Sequence, residues 1–256
     1  MKTPYHFSLV FVLLTLSMYS TAAVHIVLEK PRSNNSIEKQ IYERLQTSPT
    51  TQTVTAFLND TFHTREDIAI HFGHYGRIWY ENNKIEIPYE FIQRMRNGYQ
   101  NANFPHHAAS LDEFTGNTLL HVIFHEMAHA FIEQYNLPVL GKPEDAADGL
   151  ADVRLLYFFD EGDNIVISAA DLFYMKSTYK RRLTTYDYWS EHSLDLQRYY
   201  ARICHVYGSN PSKHQALVKR TGFDEIRAER CIIQYKDLER GWLTVLQPAF
   251  KNTDKP

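Results

Sequence analysis

Leu119-Leu120-His121-Val122-Ile123-Phe124-His125-Glu126-Met127-Ala128-His129-Ala130-Phe131-Ile132 is an apolar run interrupted by a polar triplet, His125, Glu126 and His129. On an α-helix, residues four apart lie one above the other, so both imidazoles of an HExxH can reach one metal ion. The glutamate between them is then placed to act on water at that metal. Composition alone produces this pentapeptide with a probability of about 4%, so its surroundings must decide. Here the flanking apolar residues leave no solvated stripe on the helix. A polar triplet buried in such a helix is costly unless its members are paired or bind a metal. Asn117 or Thr115 is suited to cap the start of this helix, and Pro138 lies just beyond its end.

A catalytic zinc has three protein ligands and an open fourth position. Downstream, Pro143 suits the first turn of a second helix running to about Phe158. Glu144 and Asp148 share a face of it, and Ala147, Gly149 and Ala151 leave room for a neighbouring helix. Glu144 is the expected third ligand. Asp148, one turn on, is expected to accept a hydrogen bond from the second nitrogen of a ligand histidine and so fix its tautomer. The plainer alternative, in which Glu144 and Asp145 only complement a helix N-terminus, explains the first turn but not Asp148.

With these residues in view, the chain resembles a family of bacterial zinc metallopeptidases formerly described only as a domain of unknown function, of gluzincin type. The likeness rests on HEMAHA (125–130), LPVLGKPEDAADGLA (137–151, containing GxxEDxAD), EHSLDLQRYY (191–200), Cys204 with Tyr207-Gly208-Ser209, and Arg227-Ala228-Glu229-Arg230-Cys231. It lacks the extra cysteines that many members carry around the upstream hairpin, so no second disulfide is implied. The resemblance implies a zincin-like α+β fold, with a small sheet and hairpin before the HExxH helix and a mostly helical C-terminal half. It also implies that a strand near the site pairs with an extended substrate.

Residues 1–23 read as a signal peptide: Lys2, an apolar core from Phe7 to Tyr19, and small residues at Thr21-Ala22-Ala23. That core is short for a membrane span, and nothing else in the chain reads as one. The expectation is an exported protein, periplasmic or secreted, with residues 24–256 forming one domain. Loss of Lys2 takes the net charge from −3 to −4, which gives no argument for nucleic-acid binding. The two cysteines, Cys204 and Cys231, form an even pair, expected as a disulfide in an exported chain. Such a loop contributes about 3 kcal/mol in the chain-entropy model. Two buried free thiols are the alternative, and their spacing argues against zinc ligation.

Along the chain, Val24 to Leu28 reads as a strand, followed by a helix capped by Asn35 or Ser36 with a buried stripe of Ile37, Ile41 and Leu45. The Thr-rich stretch 47–55 reads as a loop, and Asp67 to Phe72 as a strand. A hairpin turns at Asn82-Asn83, with Glu81 facing Lys84, Tyr80 facing Ile85 and Ile78 facing Ile87. A short helix from Tyr89 closes at Gly98. Residues 100–116 read as irregular, with His106 and His107 as surface or cleft-rim residues. Helices are expected over Ile167 to Tyr179, Trp189 to Tyr207, and beyond Ser212. On the second of these, His192, Leu196, Tyr199 and Ile203 would share one face, with Asp195 orienting His192. His192 is the first candidate for stabilising an oxyanion, with Tyr199 and Arg198 behind it.

The reading is a zinc-dependent peptidase acting on a peptide or protein substrate. His125, His129 and Glu144 hold one Zn²⁺, and Glu126 is the general base. The alternatives are a non-catalytic zinc-binding protein and a partner-binding module descended from a peptidase. A di-iron carboxylate protein would need a second E-x-x-H, which the chain lacks.

Overall fold

Ile68, Ile70 and Phe72 alternate along β2 (Ile68–Gly73) and put one apolar face inward, as a half-buried strand requires. The computed structural model describes residues 22–102, 107–108, 110–179 and 182–251. The signal-peptide segment up to residue 21 and His106 lie outside them. β2 pairs in parallel with β1 (Val24–Leu28) on one side and β4 (Lys84–Pro88) on the other. β3 (Trp79–Glu81) pairs antiparallel with β4, giving the order β1-β2-β4-β3 and leaving β3 as an edge strand.

The hairpin register is the expected one, Glu81 opposite Lys84 and Tyr80 opposite Ile85. Asn82 and Asn83 both have positive φ, 50° and 61°, as a two-residue turn between twisted strands demands. The ladder stops at Trp79 opposite Glu86, so the expected Ile78–Ile87 pair is not part of it.

Four helices pack around the sheet. α1 (Ser36–Thr47) starts at Asn35, whose Oδ1 accepts from Ile37 N and Glu38 N. Its buried face is Glu38, Ile41 and Leu45, while Ile37 is 42% exposed, contrary to expectation. Glu38 takes that place because Arg32 closes on it with its backbone N–H and its guanidinium.

The Thr-rich stretch is not a loop. It belongs to α2 (Pro49–Thr61), which Pro49 opens and whose Val54 and Leu58 enter the core. Tertiary burial outweighs the weak helix propensity of threonine, and the Thr51 hydroxyl is satisfied by Leu45 O at 2.7 Å. α3 (Tyr89–Asn101) likewise continues through Gly98, where the Met175 side chain packs closely. The loss of about 1 kcal/mol for a helical glycine is offset there by packing.

α4 (Leu111–Tyr135) carries the HExxH and begins between one and two turns before the expected caps. Ser110 caps it, accepting from Glu113 N at 3.1 Å. Thr115 instead bonds back to Leu111 O, and Asn117 reaches Ser168. α5 (Pro143–Phe158) follows as expected, and α6 (Gly162–Tyr179) packs against both.

The expected helix from Trp189 to Tyr207 is two helices, α7 (Thr185–Trp189) and α8 (Asp195–Ser209). In the break, Lys142 Nζ donates to the carbonyls of Ser190 and His192. α9 (Gln215–Thr221) and α10 (Glu225–Leu246) complete the helical half.

Cys204 on α8 and Cys231 on α10 form a disulfide, with Cα atoms 5.0 Å apart. The same two helices meet at Gly208, where an added Cβ would fall 2.3 Å from Cys231 O. The small residues of α5 act as anticipated: Ala147 and Ala151 are fully buried, and Gly149 receives Leu238 and Trp242 of α10. Among the described residues no helix is long and apolar enough to cross a membrane. Gly208→Ala is expected to lower stability by roughly 1–3 kcal/mol, because backbone rather than a flexible side chain blocks the methyl group. Denaturant unfolding of the oxidised protein checks this.

Candidate metal centre

His121, His125 and His129 are spaced by four and stack along one face of α4. Glu144, Asp148 and Asp152 are spaced by four and stack along α5. The helices meet through these two ladders. α4 ends at Asn136, which takes a left-handed conformation (φ 50°) and returns the chain toward α5. Gly141, at φ 136°, completes the return in a backbone region that residues with a side chain rarely adopt. Pro143 then opens α5 and places Glu144 in its first turn.

His125 Nε2 lies 3.1 Å from Glu144 Oε2 and 3.3 Å from His129 Nε2, and His129 Nε2 lies 3.5 Å from Glu144 Oε1. These three residues offer ligand atoms that all lie within 4.8 Å of one another, so they can hold a metal ion. The separations are those of donors around a tetrahedral ion of zinc's size. Tetrahedral bonds of about 2.0–2.1 Å put neighbouring donors roughly 3.3–3.4 Å apart.

Behind the cluster, His125 Nδ1 lies 2.7 Å from Asp148 Oδ1. Arg198 holds Asp148 with two hydrogen bonds, Nε to Oδ2 and Nη2 to Oδ1, each 2.7 Å. Arg202 Nη2 reaches Asp148 Oδ1 at 2.6 Å. The His125 and Arg202 contacts are close pairings rather than well-aligned hydrogen bonds.

The charges of the site are strongly coupled. Burial alone would lower His125, but Asp148 and Glu144 outweigh it and hold the imidazole up at about 9. Burial alone would raise Glu144, yet hydrogen bonds from His125, His129 and His192 hold it far below the usual carboxylate range. Asp148 is also held low against its burial, by Arg198, Arg202 and His125. Glu126 goes the other way. Burial pushes it up, against the opposing pull of His125 and His129. A metal entering this site would displace the proton that the carboxylates draw onto His125.

The cluster sits in a cleft of about 810 Å³. Its lining includes Arg77 to Tyr80, the segment from Ser190 to Leu196, and Leu172, Phe173 and Lys176 of α6. Glu126 lines the cleft beside the two histidines.

The family model described as "Putative metallopeptidase" matches residues 30–246. The chain belongs to this metallopeptidase family. No curated protein and no solved structure matches it significantly.

In this family member His192 does not stand on a helix face. It lies in the break before α8, with its side chain 51% exposed and Nε2 2.9 Å from Glu144 Oε2. Leu196, expected inward beside it, is 44% exposed. Asp195 does not orient His192, since it pairs with Lys176 at 3.3 Å. Arg198 is occupied by Asp148, and Tyr199 packs on Tyr174. Of the three oxyanion candidates, Arg198 and His192 line the cleft, Arg198 engaged by Asp148 and His192 by Glu144. His107 is exposed, with its ring against Asn164.

Sequence reasoning missed a second buried group. His121 Nε2 donates to Asp152 Oδ1 at 2.8 Å, and His205 Nδ1 to Asp152 Oδ2 at 2.7 Å. The signal was there: His121 precedes His125 by four, and Asp152 follows Asp148 by four.

Burial alone would raise Asp152, but Arg202 and the two imidazoles hold it below its ordinary value of about 3.9. A folded-state pKa below the unfolded one contributes stability that is complete above about pH 5. It is lost as pH falls below about 4, toward the folded value. Asp152→Asn is expected to lower stability by about 3 kcal/mol at pH 7. It should also flatten the fall in stability below pH 4. Urea unfolding at pH 7 and pH 3 tests both.

Proposed function

We propose that the chain is an exported zinc-dependent peptidase in which His125, His129 and Glu144 hold one Zn²⁺ and Glu126 is the general base. The observation that carries this is the spacing of the three donors, 3.1, 3.3 and 3.5 Å, at the floor of an open cleft beside Glu126. Three protein donors leave a fourth position, as in catalytic rather than structural zinc sites. His192 approaches Glu144 but stands outside the three-residue cluster. When bound, zinc supplies a Lewis acid that polarises a carbonyl and lowers the pKa of water to about 7.

The residues then divide the work. Glu126, whose burial raises its proton affinity, accepts the proton of the attacking water and returns it to the leaving amine. His192 lines the same cleft on an exposed segment that Lys142 contacts, with Nε2 2.9 Å from Glu144 Oε2, and its role in this reading is to donate to the oxyanion. Asp148 keeps His125 in the tautomer that presents Nε2 to the metal.

The edge strand suits an extended peptide. With a two-residue turn, Glu81 and Lys84 form the hydrogen-bonded closing pair, and Tyr80–Ile85 is the non-bonded pair. The N–H and C=O of Tyr80 therefore point to the free edge of β3, beside the cleft, where a substrate strand can pair. Export rests on the sequence of residues 1–23, and the Cys204–Cys231 disulfide is compatible with it.

Glu126→Gln is nearly isosteric and leaves the three donors in place. It is expected to keep zinc while lowering turnover by at least about 100-fold. Mass spectrometry of a diverse peptide mixture incubated with either protein measures the loss. Full activity in the variant would sink the assignment of Glu126.

A further inference from the structure

The carboxylate behind His125 is unusual in how heavily it is held. Asp148 Oδ1 accepts from Arg198 Nη2 and Oδ2 from Arg198 Nε, each at 2.7 Å, while His125 Nδ1 and Arg202 Nη2 stand 2.7 and 2.6 Å from Oδ1 as close charge pairings. Both arginines come from α8, one turn apart, and both are buried. Arg202 is the deeper of the two. It donates to Arg198 O at 3.1 Å and stands 3.9 Å from Asp152, whose two oxygens are in turn held by His121 and His205. A single arginine would suffice to balance the charge of Asp148. Arg198 already holds both oxygens, and Arg202 adds a second cation close to Oδ1, which further restricts rotation of the carboxylate about χ2.

We propose that Arg202 is a positioning residue for the metal centre. In concert with Arg198, it fixes the Asp148 carboxylate and through it the ring of His125, so that zinc affinity is set from α8, an element that contributes no ligand. This rests on the zinc-site reading of His125, His129 and Glu144. The physical basis is that a ligand imidazole is oriented by the partner of its second nitrogen. Here that partner is oriented by guanidiniums whose planar forks admit few geometries.

Arg202 also explains the second buried group. With Asp152 anchored between His121 of α4 and His205 of α8, the guanidinium of Arg202 is confined between two fixed carboxylates. The Cys204–Cys231 disulfide, two residues from Arg202, ties the same stretch of α8 to α10. The device is a chain of held groups running from the disulfide to the donor atoms.

The test uses the full mature chain and zinc alone, with no substrate. Zinc dissociation constants are measured by competition with a chromogenic chelator for the native protein, Arg202→Met, Arg202→Lys, Asp148→Asn and the Arg202→Met/Asp148→Asn double variant. Circular dichroism confirms folding of each. The expected results are a weakening of roughly 10-fold or more in Arg202→Met, of the size seen for outer partners of metal ligands, and partial recovery in Arg202→Lys. The double variant should bind zinc about as weakly as Asp148→Asn alone, because Arg202 acts through that carboxylate. The visible spectrum of the cobalt(II) form should change in Arg202→Met, reporting altered ligand geometry.

A folded Arg202→Met with native zinc affinity overturns the proposal, as does a double variant whose losses simply add. Should Arg202→Met fail to fold, the same cycle with Arg202→Lys decides on the same criteria. A native chain that takes up no zinc would remove the underlying site reading. That outcome is distinct from native zinc binding with an indifferent Arg202.

Discussion

Two carboxylates, Asp148 and Asp152, are buried on one face of α5, and neither can be taken out of water alone. The effective penalty for burying an ion is several kcal/mol, met only where close counter-charges and hydrogen bonds replace the lost water. Arg198 and Arg202 supply the charge, and His121, His125 and His205 supply the remaining partners. Those groups come from α4 and α8. Satisfying two anions on α5 therefore sets the register of three helices against one another, and the donor cluster lies at the open end of the same ladder.

The sheet contributes position rather than chemistry. Its inner face buries Ile68, Ile70, Phe72, Ile85 and Ile87 against the helices, and its edge strand supplies Trp79 and Tyr80 to the lining of the cleft. The cleft is lined by residues of that strand and by the segment bearing His192, whose carbonyl, like that of Ser190, accepts from Lys142.

Much of this was legible in the sequence because it is periodic. The four-residue spacings of His125/His129 and Glu144/Asp148 give helical faces directly, Pro143 marks the start of α5, and Asn82-Asn83 marks the turn with its register. The misreadings are of two kinds. Local propensity misled at the Thr-rich start of α2 and at Gly98 in α3, where tertiary burial overrode residue preference. Periodicity misled at His192, because a helical pattern on both sides of Ser190 gave no sign that Lys142, almost 50 residues earlier, would claim the carbonyls there. For the buried Asp152 group, spacing pointed to His121 and Asp152 but not to their partners Arg202 and His205. A buried arginine and a surface arginine look alike in sequence, and only packing shows which carboxylate each one meets.

The central claim is a three-donor zinc site made by α4 and α5. Its most direct test is the metal content of the mature chain, purified without chelator and measured by elemental analysis beside Glu144→Ala. The account predicts close to one zinc per native chain and a clear loss in the variant. A native chain that holds no zinc and takes up none on addition would contradict it, as would full retention of zinc without Glu144.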